Sequence, residues 1–160
     1  MDYINSLGEQ AGGQGCFLCD YRDAPENDDA NFVLWRSDAT LAVLNRFPYT
    51  NGHILLAPTA HVAQLDEVSD EVLSELALRT RDAQRILKGA LEPHGFNIGI
   101  NIGRCAGAGL PGHIHYHVVP RWNGDTNFMS VVGGARVIPQ ELGQVRDALR
   151  AEAARLGIRV

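Results

Sequence analysis

The spacing of apolar positions changes period several times along the chain, and each change marks a different element. Phe32-Val33-Leu34-Trp35-Arg36 and Leu41-Ala42-Val43-Leu44 read as two strands joined by a turn around Ser37-Asp38. Asn45 to Gly52, punctuated by Pro48 and by Asn51-Gly52, is a turn-rich link. His53-Ile54-Leu55-Leu56-Ala57-Pro58 is a compact apolar strand that proline stops. From about Ser69 the spacing becomes three and four, through Val72, Leu73, Leu76, Leu78, Ala83, Ile86, Leu87 and Leu91. That stripe predicts one long amphipathic helix, with Ser69 as N-cap and Pro93 with Gly95 ending it. Alternation returns at Phe96, Ile98, Ile100 and Ile102, and again over residues 113–121. A last helix is expected over about 139–156, opened by Pro139. Asp20 to Ala30, acidic and containing Pro25, reads as loop, and residues 1–15 read as a flexible N-terminus. The order predicts one α+β domain over 16–160, an antiparallel sheet of about five strands carrying a long central helix and a C-terminal helix.

Composition narrows the functional classes. The chain has 160 residues, 45% hydrophobic and 21% charged, with a net charge of -5. That is a soluble globular composition, and the acidic balance argues against nucleic acid as a partner. An anionic ligand has to be gripped locally. No apolar run approaches a membrane span and the N-terminal residues show no leader pattern, so a cytoplasmic location is expected. Three cysteines do not make a disulfide framework.

The densest chemistry lies in His113-Ile114-His115-Tyr116-His117-Val118-Val119-Pro120-Arg121-Trp122, which holds half of the six histidines. On a strand, residues two apart share a face about 7 Å from one another. The three imidazoles are therefore expected to point one way. Burying imidazole without a partner costs free energy, so the ladder calls for a ligand or a metal. Directly before it, Gly103, Gly107, Gly109 and Gly112 form a glycine-rich loop whose amides can approach an anion. Three imidazoles can ligate a metal. Alternatively, one attacks phosphorus while another donates to the phosphate. The glycine loop favours the second reading, as does His53, a candidate hydrogen-bond partner for the ladder. Cys16 and Cys19 form a Cys-x-x-Cys pair that can be half of a zinc site, a redox pair, or two small buried residues. For zinc, His61 and His113 are the candidate remaining ligands. Cys105 reads as a buried or half-buried thiol, His94 as solvated, and Arg121 as a surface charge with a phosphate contact as the alternative.

His113-Ile114-His115-Tyr116-His117-Val118-Val119 resembles the alternating signature of the histidine triad (HIT) superfamily of nucleotide hydrolases and transferases. Leu44-Asn45 through Pro48, Gly52-His53, Pro58 with His61, and Asn101-Ile102-Gly103 extend the likeness over about residues 16–125. Pro120 to Phe128 and Gly133 to Pro139 look most like diadenosine tetraphosphate phosphorylases and adenylyltransferases. The resemblance implies that His115 is the nucleophile, its other nitrogen donating to a backbone carbonyl, with His117 on the scissile phosphate and His53 as an orienting partner. It places Asn45 on the ribose, Asn101 and the Gly107-Ala108-Gly109 turn on phosphate oxygens, and Leu44 and Phe17 against the base. It also implies a structural zinc on Cys16, Cys19, His61 and His113, no redox cofactor, and a homodimer. The implied substrate is a purine nucleotide or dinucleoside polyphosphate. A nucleoside phosphoramidase and a non-catalytic purine nucleotide-binding module are the alternatives. In one place the chain departs from its relatives: Ala108-Gly109-Leu110-Pro111 lacks the Gln and Ser/Thr that many carry before the triad, so backbone amides must serve there.

Overall fold

The computed structural model describes residues 15–125 and 140–159. The expected flexible segment falls on residues 1–14, outside the described residues but for Gly15, as do 126–139 with Phe128, the Gly133 to Pro139 stretch and the proposed helix opening. Among the described residues, three helices and five strands follow one another: α1 (Phe17–Asp23), β1 (Val33–Arg36), β2 (Thr40–Leu44), β3 (Ile54–Pro58), α2 (Asp70–Leu91), β4 (Gly95–Ile100), β5 (Tyr116–Arg121) and α3 (Leu142–Arg155). The strands make one antiparallel sheet in the order β1-β2-β3-β5-β4. The α+β expectation holds.

Strand alternation sorts the apolar side chains onto two faces. Ala42, Leu44, Ile54, Leu56 and Val118 join Leu76, Ala83, Ile86 and Leu87 of α2 and Val145, Leu149 and Ala153 of α3 in the larger core. Leu41, Val43, Leu55 and Ala57 turn to the other face, where Leu18 of α1 covers them. Full burial of each such leucine or isoleucine contributes about 1.5–3 kcal/mol, so both faces of the central strands are anchored. Ser69 caps α2 by accepting from the Val72 N–H, and Glu92 at φ 48° ends it. Gly52 sits at φ 76°, and a Cβ there would lie 2.6 Å from Leu91 Cδ1. Only glycine fits this approach beneath the end of α2, and the fit fixes the entry of the chain into His53 and β3.

Four expectations change. The acidic stretch after Cys19 is not all loop, because α1 runs to Asp23 and a 3-10 turn follows at Pro25–Asn27. β4 stops at Ile100 rather than Ile102, and α3 spans Leu142–Arg155. The ladder strand expected over 113–121 begins only at Tyr116. The physical reason is local: the Ile114 N–H bonds the Val62 carbonyl at 2.7 Å, and His113 bonds Pro58 O through its side chain. His113 and His115 are thus drawn off the ladder before strand pairing begins.

Candidate functional site

The run from His113 to His117 enters two neighbourhoods. At its first residue, His113 is 1% exposed. Its Nε2 lies 2.9 Å from the Pro58 carbonyl oxygen. A carbonyl only accepts, so Nε2 carries the proton and Nδ1 keeps its lone pair. That lone pair meets Cys16 Sγ at 3.1 Å and Cys19 Sγ at 3.6 Å, while His61 Nδ1 lies 3.2 Å from Cys19 Sγ. The four ligand atoms all lie within 4.8 Å of one another. Ligand atoms around a tetrahedral zinc stand roughly 3.3–3.8 Å apart, so the donor set fits such an ion. The helix α1 explains the Cys spacing: Cys16 is its N-cap and Cys19 lies three residues on, on one side of the first turn. Burial pushes the Cys16 thiol up to about 11, so a metal bound here must displace protons.

Two residues further on, His115 is 5% exposed, and its Nδ1 lies 2.8 Å from the His113 carbonyl oxygen. Nδ1–H donates, which leaves the Nε2 lone pair as the free end of the ring. Burial holds the imidazole below its ordinary pKa, partly opposed by this bond. Neutral, lone-pair-bearing imidazole is the form that attacks phosphorus.

His117 lies on β5 opposite Leu55 and Gly99, on the α1 side of the sheet. Its Nδ1 is 3.0 Å from His53 Nε2. His53 is fully buried, and its Nδ1 accepts from the Tyr49 N–H and from Asn45 Nδ2, both at 3.2 Å. The Phe47 N–H donates to Asn45 Oδ1 at 2.9 Å, which fixes which end of that amide faces His53. The protons follow in order. With Nδ1 of His53 accepting, its Nε2–H donates to His117 Nδ1. The His117 proton is therefore on Nε2, a buried atom without a hydrogen-bond partner. A buried orphan donor costs about 1–3 kcal/mol and is satisfied by an incoming acceptor. Burial first, and the nearby His115 charge second, push His117 down to about 4, so it donates as neutral imidazole at pH 7.

Other expected residues fare unevenly. Asn45 spends one donor and one acceptor inside the protein, leaving one of each. Asn101 directly follows Ile100, the residue opposite Tyr116. In the glycine loop a 3-10 turn at Arg104–Ala106 uses up two of the expected phosphate donors: Gly107 N–H bonds Arg104 O at 3.0 Å and Ala108 N–H bonds Gly103 O at 3.3 Å. Gly109 keeps its amide. Leu44 does not wall a base, because strand alternation turns it into the helix-side core at 1% exposure. Phe17 does lie on the α1 side, edge-on to Tyr21. Cys105 is exposed, not buried, because it rides on the 3-10 turn. Arg121 pairs with Asp125 at 2.6 Å, and exposed His94 accepts from the Asn123 N–H. The anchoring roles of the Tyr49 and Phe47 amides are signalled in the sequence only by the turn around Pro48.

The family model described as HIT domain matches residues 26–124. Proteins named AP-4-A phosphorylase from two Mycobacterium tuberculosis strains are 43% identical over 129 residues, covering 81% of this chain and 66% of theirs. The match thus spans just under two thirds of those relatives. The crystal structure of a Zn-bound histidine triad family protein from Mycobacterium smegmatis is 30% identical, with TM-score 0.72 over 89% of this chain and 96% of that one. A histidine triad nucleotide-binding protein from Sulfolobus tokodaii shares the fold at TM-score 0.72 and 24% identity, over 88% of this chain and 93% of that one. With more than half of its length matched and the sheet and histidine run in place, the chain belongs to the HIT domain family.

Proposed function

We propose that this protein is a nucleotidyl transferase or hydrolase that cleaves dinucleoside polyphosphates such as diadenosine tetraphosphate through a nucleotidyl-histidine. The observation that carries the reading is the fixed tautomer of the two triad residues: His115 offers a lone pair at Nε2, and His117 offers a proton at Nε2. The AP-4-A phosphorylase likeness supports the substrate class.

His115 Nε2 attacks the α-phosphorus, and the bond from that phosphorus to the bridging oxygen breaks. The leaving polyphosphate takes the electron pair, and the His117 Nε2–H donates to the phosphate oxygens as charge builds on them. The N-phosphorylated ring is cationic, and its Nδ1–H remains on the His113 carbonyl, which stabilises that charge. An oxygen of inorganic phosphate, or of water that loses a proton to solvent, then attacks the same phosphorus, and the N–P bond breaks with its electron pair returning to Nε2 to restore neutral His115. His53 holds the His117 tautomer throughout. Asn45, Asn101 and the Gly109 amide are the remaining contacts for ribose and phosphate, the Gly107 and Ala108 amides being held within their own turn.

We further propose that Cys16, Cys19, His61 and His113 hold zinc. The ion there is closed and structural, supplying rigidity to the backbone that carries the His113 carbonyl. The edge strand β4 exposes Ile98 (45%), and Ile102 just beyond it is 36% exposed, which supports a homodimer formed along this edge. No helix among the described residues is long and apolar enough to cross a membrane. The free thiols suit the cytoplasm.

Incubation with diadenosine tetraphosphate, with and without inorganic phosphate, tests the reading. ADP plus ATP identifies phosphorolysis, and AMP plus ATP identifies hydrolysis. An intact substrate under both conditions overturns the proposal.

A further inference from the structure

The chain carries a net charge of -5, yet its helical layer holds a basic concavity. Arg79, Arg81 and Arg85 of α2 and Arg159 beyond α3 line an open cleft of about 420 Å³, within the size range of small-molecule sites. Local folding builds it. α3 ends in a turn closed by glycine: Gly157 sits at φ 66°, its N–H bonds Ala154 O at 3.1 Å, and the Ile158 N–H bonds Ala153 O at 3.0 Å. That turn packs Leu156 and Ile158 on the larger core. Arg79 Nη1 of α2 then donates to the Arg159 carbonyl at 3.2 Å and holds the end of the turn in place.

Two carboxylates stand among these cations, and both are the less exposed partners. Asp82 lies 2.9 Å from Arg81 and 3.7 Å from Arg85, but its side chain is 13% exposed against 57% and 52% for the two arginines. Glu75 is 3.7 Å from Arg79 and already accepts from Ser37 Oγ at 2.5 Å and Thr40 Oγ1 at 2.7 Å. Arg159 is exposed and has no ion pair among the described residues. Four guanidinium groups thus face two carboxylates, and the excess of positive charge lies at the mouth. A guanidinium presents a planar fork of N–H donors that matches two phosphate oxygens. Several forks along one cleft match a chain of phosphates. The cleft is also separate from the His115–His117 pair, since α2 and α3 cover one face of the sheet and His117 lies on the other.

We propose that this cleft is a second anion site, which binds an oligophosphate chain, either free or as the triphosphate of a nucleotide. The site is independent of nucleotidyl transfer, and its test needs no turnover.

Titration calorimetry of the full chain with tripolyphosphate, and separately with ATP, tests this. Tripolyphosphate is expected to bind, about tenfold more weakly in Arg159→Gln and about a hundredfold more weakly in the double variant Arg81→Gln with Arg159→Gln. Equal affinity for ATP identifies the phosphate chain as all that is recognised, and tighter binding of ATP adds its nucleoside against Leu156 and Ile158. Binding of ATP without tripolyphosphate, or of neither, overturns the proposal. The reaction site also accepts phosphate, so the loss must follow the arginines. An affinity unchanged in the double variant would assign the binding to the reaction site and end the proposal. A second measurement needs no variant: tripolyphosphate should shield Arg81 and Arg159 of the wild type from phenylglyoxal, read by peptide mass. Arginines that react equally with and without it would also overturn the site.

Discussion

His113 and His117 are four residues apart, and their rings are used in opposite senses. His113 donates through Nε2 to Pro58 O and turns its Nδ1 lone pair toward two sulfurs. His117 accepts at Nδ1 from His53 and presents an Nε2 proton without a partner. In each case one hydrogen bond on the far side of the ring decides which nitrogen is available and for what. His115 belongs to both ends, since its Nδ1–H rests on the carbonyl of His113 while its ring meets His117. The Cys/His cluster and the His115–His117 pair are thereby joined through a single backbone carbonyl. Identity of residue type along the run therefore says little about role. The second partner of each ring says nearly everything.

Substitutions can separate the two ends. His115→Gly removes the attacking lone pair and is expected to lower turnover by about 10^3-fold or more while nucleotide still binds. Single-turnover assay with equilibrium binding checks this, and full activity in that variant would end the nucleophile assignment. His117→Phe removes one donor to the transition state, with an expected loss of about 10^2–10^3 in kcat. If only KM moved, His117 would be a binding contact instead. Cys16→Ser acts from the other end. It is expected to abolish stoichiometric zinc and to lower Tm by about 10 °C, as several kcal/mol of metal-coupled folding is lost. Its effect on kcat should be smaller than that of either histidine change. Metal analysis and calorimetry check it, and wild-type protein purified without zinc would break the metal half of the comparison.

Much of this was legible in the chain. The period change at Ser69 located α2, and the short apolar runs Leu41 to Leu44 and His53 to Pro58 located β2 and β3. The alternating spacing singled out His115 and His117, and the Cys-x-x-Cys pair with His61 and His113 named four side chains whose ligand atoms the fold brings within 4.8 Å of one another. What could not be read was the place where periodicity yields to side-chain bonding. Nothing in the alternation of 113–117 tells that Ile114 will bond Val62, or that His113 will bond Pro58, since both partners lie over fifty residues away in the chain. The same holds for the glycine loop. Its glycines promise free amides, but the 3-10 turn they permit consumes those of Gly107 and Ala108. Leu44 shows the reverse: one step of strand register, from Val43 to Leu44, carries the side chain to the opposite face of the sheet.

The smallest effect separates the two ends by pH. Burial, with the adjacent His115 charge, pushes His117 down to about 4 in the folded protein, against an ordinary 6.5 in the unfolded chain. Between these values the unfolded state binds more protons. The contribution of neutral His117 is thus fully present above about 6.5 and is lost as pH falls toward 4. With the proposed zinc bound, acid would also destabilise the Cys16 end, by protonating thiolate ligands and releasing the ion. Urea midpoints of the zinc-loaded protein, taken from pH 7 to pH 4.5 for wild type and His117→Gln, distinguish the two. The variant should lose part of the acid slope and keep the part that tracks zinc release. If the slopes coincide, the acid sensitivity belongs to the metal end alone, and the burial of His117 places no proton-linked load on the fold.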